Sequence, residues 1–214
     1  MNPNEILEHV IKGDAPAAKE WTEQAVSQGA DPEVILNQGL IPGMNVVGEK
    51  FKNDEYYVPN VLLSARAMKT SLALIQPLLK QSVKAGAGRV VIGTVQGDLH
   101  DIGKNLVAVM LEGAGFEVSD LGTDVEPQAF LQAVEEQKAQ LVCLSALLTT
   151  TMPEMVEVIK LLEEAEVRPG VKVIVGGAPV TERFASDIGA DGYAADAATA
   201  VDKAKDLVVR APSV

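Results

Sequence analysis

The chain has 214 residues, room for one large domain or two small ones, and its 47% apolar and 22% charged content is that of a folded globular protein. Thirty acidic residues against eighteen basic ones leave a formal charge of −12, which repels phosphate backbones and anionic lipid and sets nucleic-acid and membrane-surface roles aside. A single cysteine, Cys143, rules out an internal disulfide, no apolar run approaches the roughly 18–20 residues of a membrane span, and no basic-then-apolar leader opens the sequence, so a cytoplasmic protein is expected.

Residues 1–84 read as a helical domain. Asp14 followed by Pro16, and Asp31-Pro32-Glu33, have the pattern of N-caps with proline in the first turn, and Gly29 closes the helix between them. His9 falls in the first helix, on its surface. After Val58-Pro59, apolar residues at Val61, Leu62, Ala65, Met68, Leu72, Ile75 and Leu79 fall in steps that make one helical stripe. About four helices in an antiparallel bundle are expected, a count that follows from these caps and this periodicity.

The texture then changes. Residues 85–88, within the small and flexible run Lys84-Ala85-Gly86-Ala87-Gly88, are expected to link the bundle to a second domain over 89–214, with Gly86-Ala87-Gly88 a hinge. Short β-rich runs follow at Arg89–Val95, Glu117–Leu121, Leu141–Leu144, Val171–Val175 and Asp191–Tyr193, with helical segments between them. Strands alternating with helices make a doubly wound α/β domain, here a Rossmann-like five-stranded parallel sheet. In the flavodoxin-like order the first strand lies beside the third, and ligands bind beyond the carboxyl ends of the strands.

The loops at that edge carry the polar residues. The first is Gln96-Gly97-Asp98-Leu99-His100-Asp101-Ile102-Gly103-Lys104-Asn105. A lone loop histidine caps a helix or satisfies a carbonyl; with Asp98 two residues before it, a second reading opens. In an extended loop that carboxylate holds one imidazole nitrogen and leaves the other to a metal. Zinc needs three or four ligands, and the sequence places no second histidine and no cysteine pair nearby. One imidazole suits a metal whose other positions a macrocycle already fills. Ser145, Thr149 and Thr151 in the third loop are candidate caps for a helix starting near Pro153, but three hydroxyls exceed what one cap needs. Gly176-Gly177 makes a turn, or lets something bulky approach the backbone. Lys104 and Asn105 suit a phosphate at a helix start, yet neither GxGxxG nor GxxxxGKS/T is present. Cys143 lies in a strand as an inert core thiol.

Together these residues resemble the cobalamin-binding proteins of the methionine-synthase and methyltransferase corrinoid class. Their signature is DxHxxG, then SxL, then GG. Here Asp98-Leu99-His100-Asp101-Ile102-Gly103 is followed after 41 residues by Ser145-Ala146-Leu147, and after 28 more by Gly176-Gly177. The N-terminal half is similar to the helical cap of that class, whose G-x-x-F-x(6)-apolar-P segment is matched by Gly48-Glu49-Lys50-Phe51 and Val58-Pro59. On this resemblance Phe51 and Val58 shield the upper face of the corrin, unless they are plain bundle core; valine is smaller than the leucine expected there.

The resemblance implies a cobalamin or related corrinoid held base-off/His-on. His100 is then the cobalt ligand, Asp98 its hydrogen-bonded partner and Thr151 the third member of a proton relay, in place of the usual serine. Gly97, Asp101, Ile102, Gly103 and Leu147 join the cofactor-binding set. Ser145 and Thr149 line the slot for the displaced nucleotide tail, Gly176 and Gly177 let it pass, and the loop from Tyr193 to Ala197 closes the far end. The implied function is a corrinoid methyl carrier of one-carbon metabolism in anaerobes. It accepts a methyl group on Co(I) from a substrate-specific methyltransferase and passes it, as methyl-Co(III), to a second methyltransferase acting on tetrahydrofolate or coenzyme M. A reductive activating protein is the third partner, and the chain is a subunit of such a system rather than a complete enzyme. Methanol, methylamines, glycine betaine and aryl methyl ethers stay open as methyl donors. A mutase-type corrinoid domain, a cobalamin-dependent sensor and a flavodoxin-like receiver are the alternatives.

Overall fold

The computed structural model describes residues 2–79 and 87–209. The chain forms two compact units: the N-terminal helices with Glu112–Gly115, and Ala87–Leu111 with Phe116 onward. Of the linker expected at 85–88, Ala85 and Gly86 lie outside the described residues, Ala87 forms a turn and Gly88 is the first residue of the first strand. No helix among the described residues is long and apolar enough to cross a membrane.

The helical unit contains α1 (Pro3–Lys12), α2 (Ala15–Ser27), α3 (Pro32–Ile35), α4 (Ile41–Lys52) and α5 (Val58–Ile75). The caps are where the sequence puts them. The Asp14 side chain accepts from the Ala17 amide at 3.1 Å and Asp31 from the Glu33 amide at 2.9 Å, each satisfying a donor that has no intrahelical partner. α1 stops at Gly13, in the left-handed region at φ 69°; a side chain there would also sit 2.7 Å from Leu63 Cβ. Between α3 and α4 a π turn, Leu36–Leu40, carries the helix on without a break. It precedes Pro42, whose ring and missing N–H disrupt a regular α-turn, and it holds Gly39, where a Cβ would lie 2.5 Å from Ile6 Cγ2.

The α5 stripe is narrower than the sequence suggests. Val61, Ala65, Met68, Ile75 and Leu79 are buried, but Leu62 is exposed, because one residue is a 100° step around a helix with 3.6 residues per turn. The α-helix itself ends at Ile75, and a 3-10 turn over Gln76–Leu78 accommodates Pro77 before Leu79 folds back into the core.

The second unit is a five-stranded parallel sheet in the order β2-β1-β3-β4-β5. Its strands are β1 (Gly88–Thr94), β2 (Phe116–Asp120), β3 (Leu141–Ser145), β4 (Lys172–Gly176) and β5 (Gly192–Ala194). The helices α6 (Ile102–Gly113), α7 (Pro127–Gln137), α8 (Met152–Glu164), α9 (Glu182–Asp187) and α10 (Ala197–Val209) alternate with them. The central strands are apolar on both faces, as a covered parallel sheet requires: Val90, Val91, Ile92, Leu141, Val142, Val173 and Val175 are all buried. The register sets Thr94 against Ser145 and Ser145 against Gly176, so the ends of β1, β3 and β4 are level. The chain runs from β1 out to β2 and back past β1 to β3. That reversal opens the crevice between the loops after β1 and β3, at the carboxyl edge where ligands enter such sheets.

Candidate functional site

Asp98 lies in the loop after β1 with its side chain fully buried. Its Oδ1 accepts from His100 Nδ1 at 2.7 Å and from the His100 amide at 3.1 Å. Its Oδ2 faces the loop after β3, where it accepts from the Leu147 amide at 2.7 Å, the Leu148 amide at 3.2 Å and the Thr151 hydroxyl at 2.9 Å. Burial opposes the ionisation of this carboxyl, but the hydrogen bonds from the His100 ring, the Leu147 and His100 amides and Thr151 outweigh it and hold the group well below the usual carboxylate range. An ionised carboxylate can only accept, so the proton of that contact sits on His100 Nδ1. Nε2 has no hydrogen-bond partner among the described residues, and the His100 side chain is 51% exposed. The imidazole is therefore gripped from behind and presents a lone pair outward.

Exposed apolar side chains stand on the loops that carry this site. Leu99 and Ile102 are 73% and 80% exposed, and Leu147 and Leu148 also face solvent. Four large apolar side chains left in water, on two neighbouring loops and at the start of α6, mark a surface meant to be covered. Gly103 adds room: it sits in the first turn of α6 at an ordinary φ, and a Cβ there would meet nothing within 4 Å.

Residues 88–202 match the family described as B12 binding domain, and residues 4–76 match a second family of the same description. Together they span both units. The chain is a B12-binding corrinoid protein. It is 45% identical over 198 residues to trimethylamine corrinoid protein 2 of Methanosarcina mazei, covering 92% of this chain and 91% of that one. It is 41% identical over 212 residues to dimethylamine corrinoid protein 1 of Methanosarcina acetivorans, covering 97% and 100%. The methanol:cobalamin methyltransferase complex MtaBC from Methanosarcina barkeri superposes with a TM-score of 0.88 at 31% identity, over 97% of this chain and 80% of that one.

The residues present fit a corrinoid. Such a cofactor brings its metal with the equatorial positions filled, and needs from the protein one axial donor and an apolar seat. His100, with Nε2 outward, could supply such a donor, and the exposed Leu99, Ile102, Leu147 and Leu148 could line such a seat. A bare ion needs several ligands, and no group of three or more His, Cys, Asp and Glu side chains comes together among the described residues.

Other sequence-derived positions of the corrinoid protein fall as follows. Thr151 stands at the N-cap position of α8 but makes no side-chain cap; its hydroxyl lies 2.9 Å from both Asp98 Oδ2 and the Leu148 carbonyl. Asp101 is exposed and accepts from Asn105 Nδ2 at 3.1 Å. Ser145 is half-buried, Thr149 exposed, and Ala197 buried as the first residue of α10. The space a Cβ would take at Gly177 (φ 124°) is already filled by the Ala146 carbonyl oxygen, and at Gly176 the Ala194 carbonyl oxygen would lie 2.9 Å from it. Both glycines are thus required by the protein's own backbone packing. Lys104 is buried and paired with Asp120 and Asn105, so its charge is already met within the protein. In the helical unit, the half-buried Phe51 in the last turn of α4 and the exposed Val58 at the start of α5 flank the same connection.

Contacts around Asp98 and His100 that carry no sequence signal are the amides of Leu147 and Leu148 on Asp98, the Thr94 hydroxyl on the His100 carbonyl and the Asp124 amide on the Asp98 carbonyl. The first act through the backbone, where side-chain identity says nothing. Thr94 reads only as a residue of the first strand, and nothing in the sequence singles out Asp124.

Proposed function

We propose that this corrinoid protein is a methyl carrier in which His100 is the lower axial ligand of a base-off, His-on cofactor. The observation that supports it above all others is the buried Asp98 carboxylate, which takes five donors and fixes His100 with Nε2 outward. When bound, the corrinoid supplies the reactive cobalt, which takes a methyl group from a donor and releases it to an acceptor. The chain's own residues orient the ligand and hold its proton. With Nδ1–H committed to Asp98, Nε2 is the nitrogen left to the metal. Five donors make Asp98 a poor proton acceptor, so the Asp98–Thr151 pair polarises the imidazole rather than taking its proton.

Gly97, Asp101, Ile102, Gly103 and Leu147 are proposed to touch the corrinoid beside Leu99 and Leu148. Ser145, Thr149, Gly176, Gly177 and Ala197 are proposed to line the path of the nucleotide tail. Phe51 and Val58 are proposed to shield the opposite face of the corrin. The partners are a substrate-specific methyltransferase, a second methyltransferase serving tetrahydrofolate or coenzyme M, and a reductive activating protein. Methylated amines are the favoured donor class, because the relatives at 41% and 45% identity bear dimethylamine and trimethylamine in their names.

The test is anaerobic reconstitution with cob(II)alamin, desalting, reduction, and incubation with a methylamine and its methyltransferase. One retained corrinoid per chain that becomes methylated only with donor and partner present is the expected result. A chain that retains no corrinoid, or whose bound corrinoid no donor system methylates, overturns the reading.

A further inference from the structure

His100 is fixed through its ring, but a ring is only as well placed as the loop that carries it. That loop, 95–101, is pinned from outside at three backbone points. The Thr94 hydroxyl, fully buried at the end of β1, donates to the His100 carbonyl at 2.8 Å. From the loop after β2, the Asp124 amide donates to the Asp98 carbonyl at 2.9 Å, while the Asp124 carboxylate accepts from the Gly97 amide at 2.7 Å. Asp124 manages both because its backbone is left-handed, at φ 54°. A side-chain-bearing residue enters that region at a cost, and aspartate is among those that tolerate it best. The neighbouring Thr94–Gly122 and Val125–Thr94 backbone bonds, at 3.0 Å and 3.1 Å, tie the same loop to β1.

The geometry points to Asp124 and Thr94 as positioning residues for His100: they clamp the backbone on both sides of Asp98, so the imidazole meets the corrinoid in one orientation. Neither side chain is aimed at the imidazole itself; each acts through the backbone of the loop. Gly97, at φ 80°, completes the arrangement by turning its amide toward Asp124. The inference rests on the axial-ligand reading above, and adds that ligand placement depends on a strand end and a loop outside the DxHxxG segment.

The test uses two pairs of full-length variants. Asp124→Gly keeps the left-handed backbone and loses the acceptor, whereas Asp124→Asn keeps an acceptor. Thr94→Val keeps the shape and loses the donor, whereas Thr94→Ser keeps the donor. In the cofactor-free protein, solvent exchange of the His100 Nδ1 proton is measured by NMR against that of the β3 amides. Loss of one hydrogen bond should speed ring-proton exchange roughly fivefold to tenfold, with β3 exchange unchanged and with wild-type rates kept in Asp124→Asn and Thr94→Ser. Each protein loaded with cob(II)alamin is then examined by EPR. The double variant Asp124→Gly/Thr94→Val should lose part of the nitrogen splitting that wild type shows, and the conservative double variant should keep it.

Unchanged ring-proton exchange and full nitrogen splitting in Asp124→Gly/Thr94→Val overturn the positioning role. Faster exchange of the β3 amides in step with the ring overturns it as well, since the effect is then global. If Asp124→Gly does not fold, Thr94→Val set against Thr94→Ser still decides the matter by the same readouts. Absence of nitrogen splitting in wild type is a different failure: it removes the axial-ligand reading itself, while the exchange rates still report on the clamp.

Discussion

Asp98 is a buried anion that two loops were shaped to receive, and the consequences are measurable at that one residue. Its carboxyl is depressed in the folded protein, so its contribution to stability is fully present above the unfolded value of about 3.9 and is lost as pH falls through the lower folded value. Asp98→Asn should therefore cost about 2–4 kcal/mol near neutrality, the loss of charge-assisted bonds to the Leu147 and Leu148 amides and to Thr151. Denaturant titrations of both proteins across pH should show the gap closing below about pH 4; a gap that does not vary with pH contradicts this assignment. Gly103 gives a complementary case. No neighbour and no unusual φ requires glycine there, so Gly103→Leu should leave thermal stability unchanged or slightly higher, as expected for replacing helical glycine. The same variant should take up corrinoid at least about tenfold more weakly, since the side chain fills open space beside His100, a loss of about 1.4 kcal/mol or more. A corrinoid titration followed by absorbance measures it, and equal uptake means the space is not part of the seat.

At the scale of elements, each strand lies within a residue of where its β-rich run predicts it. The reason is local: central strands of a parallel sheet are apolar on both faces and end in polar loops, as Leu141–Ser145 shows. The caps at Asp14 and Asp31 are equally local and equally legible. Leu62 was not, because a helical stripe read from spacing alone admits neighbours that the real face turns to solvent. Gly176-Gly177 shows a different limit. The sequence marks the pair, but only the fold reveals that the carbonyl oxygens of Ala194 and Ala146 occupy the space beside it. Gly177→Ala should accordingly destabilise the α/β unit by at least about 3 kcal/mol, from backbone strain and steric overlap together. Thermal unfolding of the cofactor-free protein tests it; a melting temperature within a degree or two of wild type contradicts the packing role. Asp124 and Thr94 lie beyond sequence reading for a related reason: unlike a helix cap, a side chain that bonds the backbone of an irregular loop has no fixed spacing to its partner.

For the molecule as a whole, two compact units each match a B12 binding family, and the fold of the second places the Asp98 loop beside the Ser145 loop through strand order alone. Three short motifs far apart in sequence thereby come to the level carboxyl ends of the neighbouring strands β1, β3 and β4. The net charge of −12 repels polyanions, which weighs against nucleic acid as a partner. Everything proposed about methyl transfer depends on one bond, between His100 Nε2 and the bound metal. The direct measurement is EPR of cob(II)alamin bound to wild type, to wild type labelled with ¹⁵N-histidine, and to His100→Ala. Axial splitting by one ¹⁴N nucleus that becomes a doublet on labelling and disappears in His100→Ala, with corrinoid still loosely bound, is the predicted result. Nitrogen splitting that ignores the label and survives in His100→Ala would show that the cofactor keeps its own base, and would contradict the account at its centre.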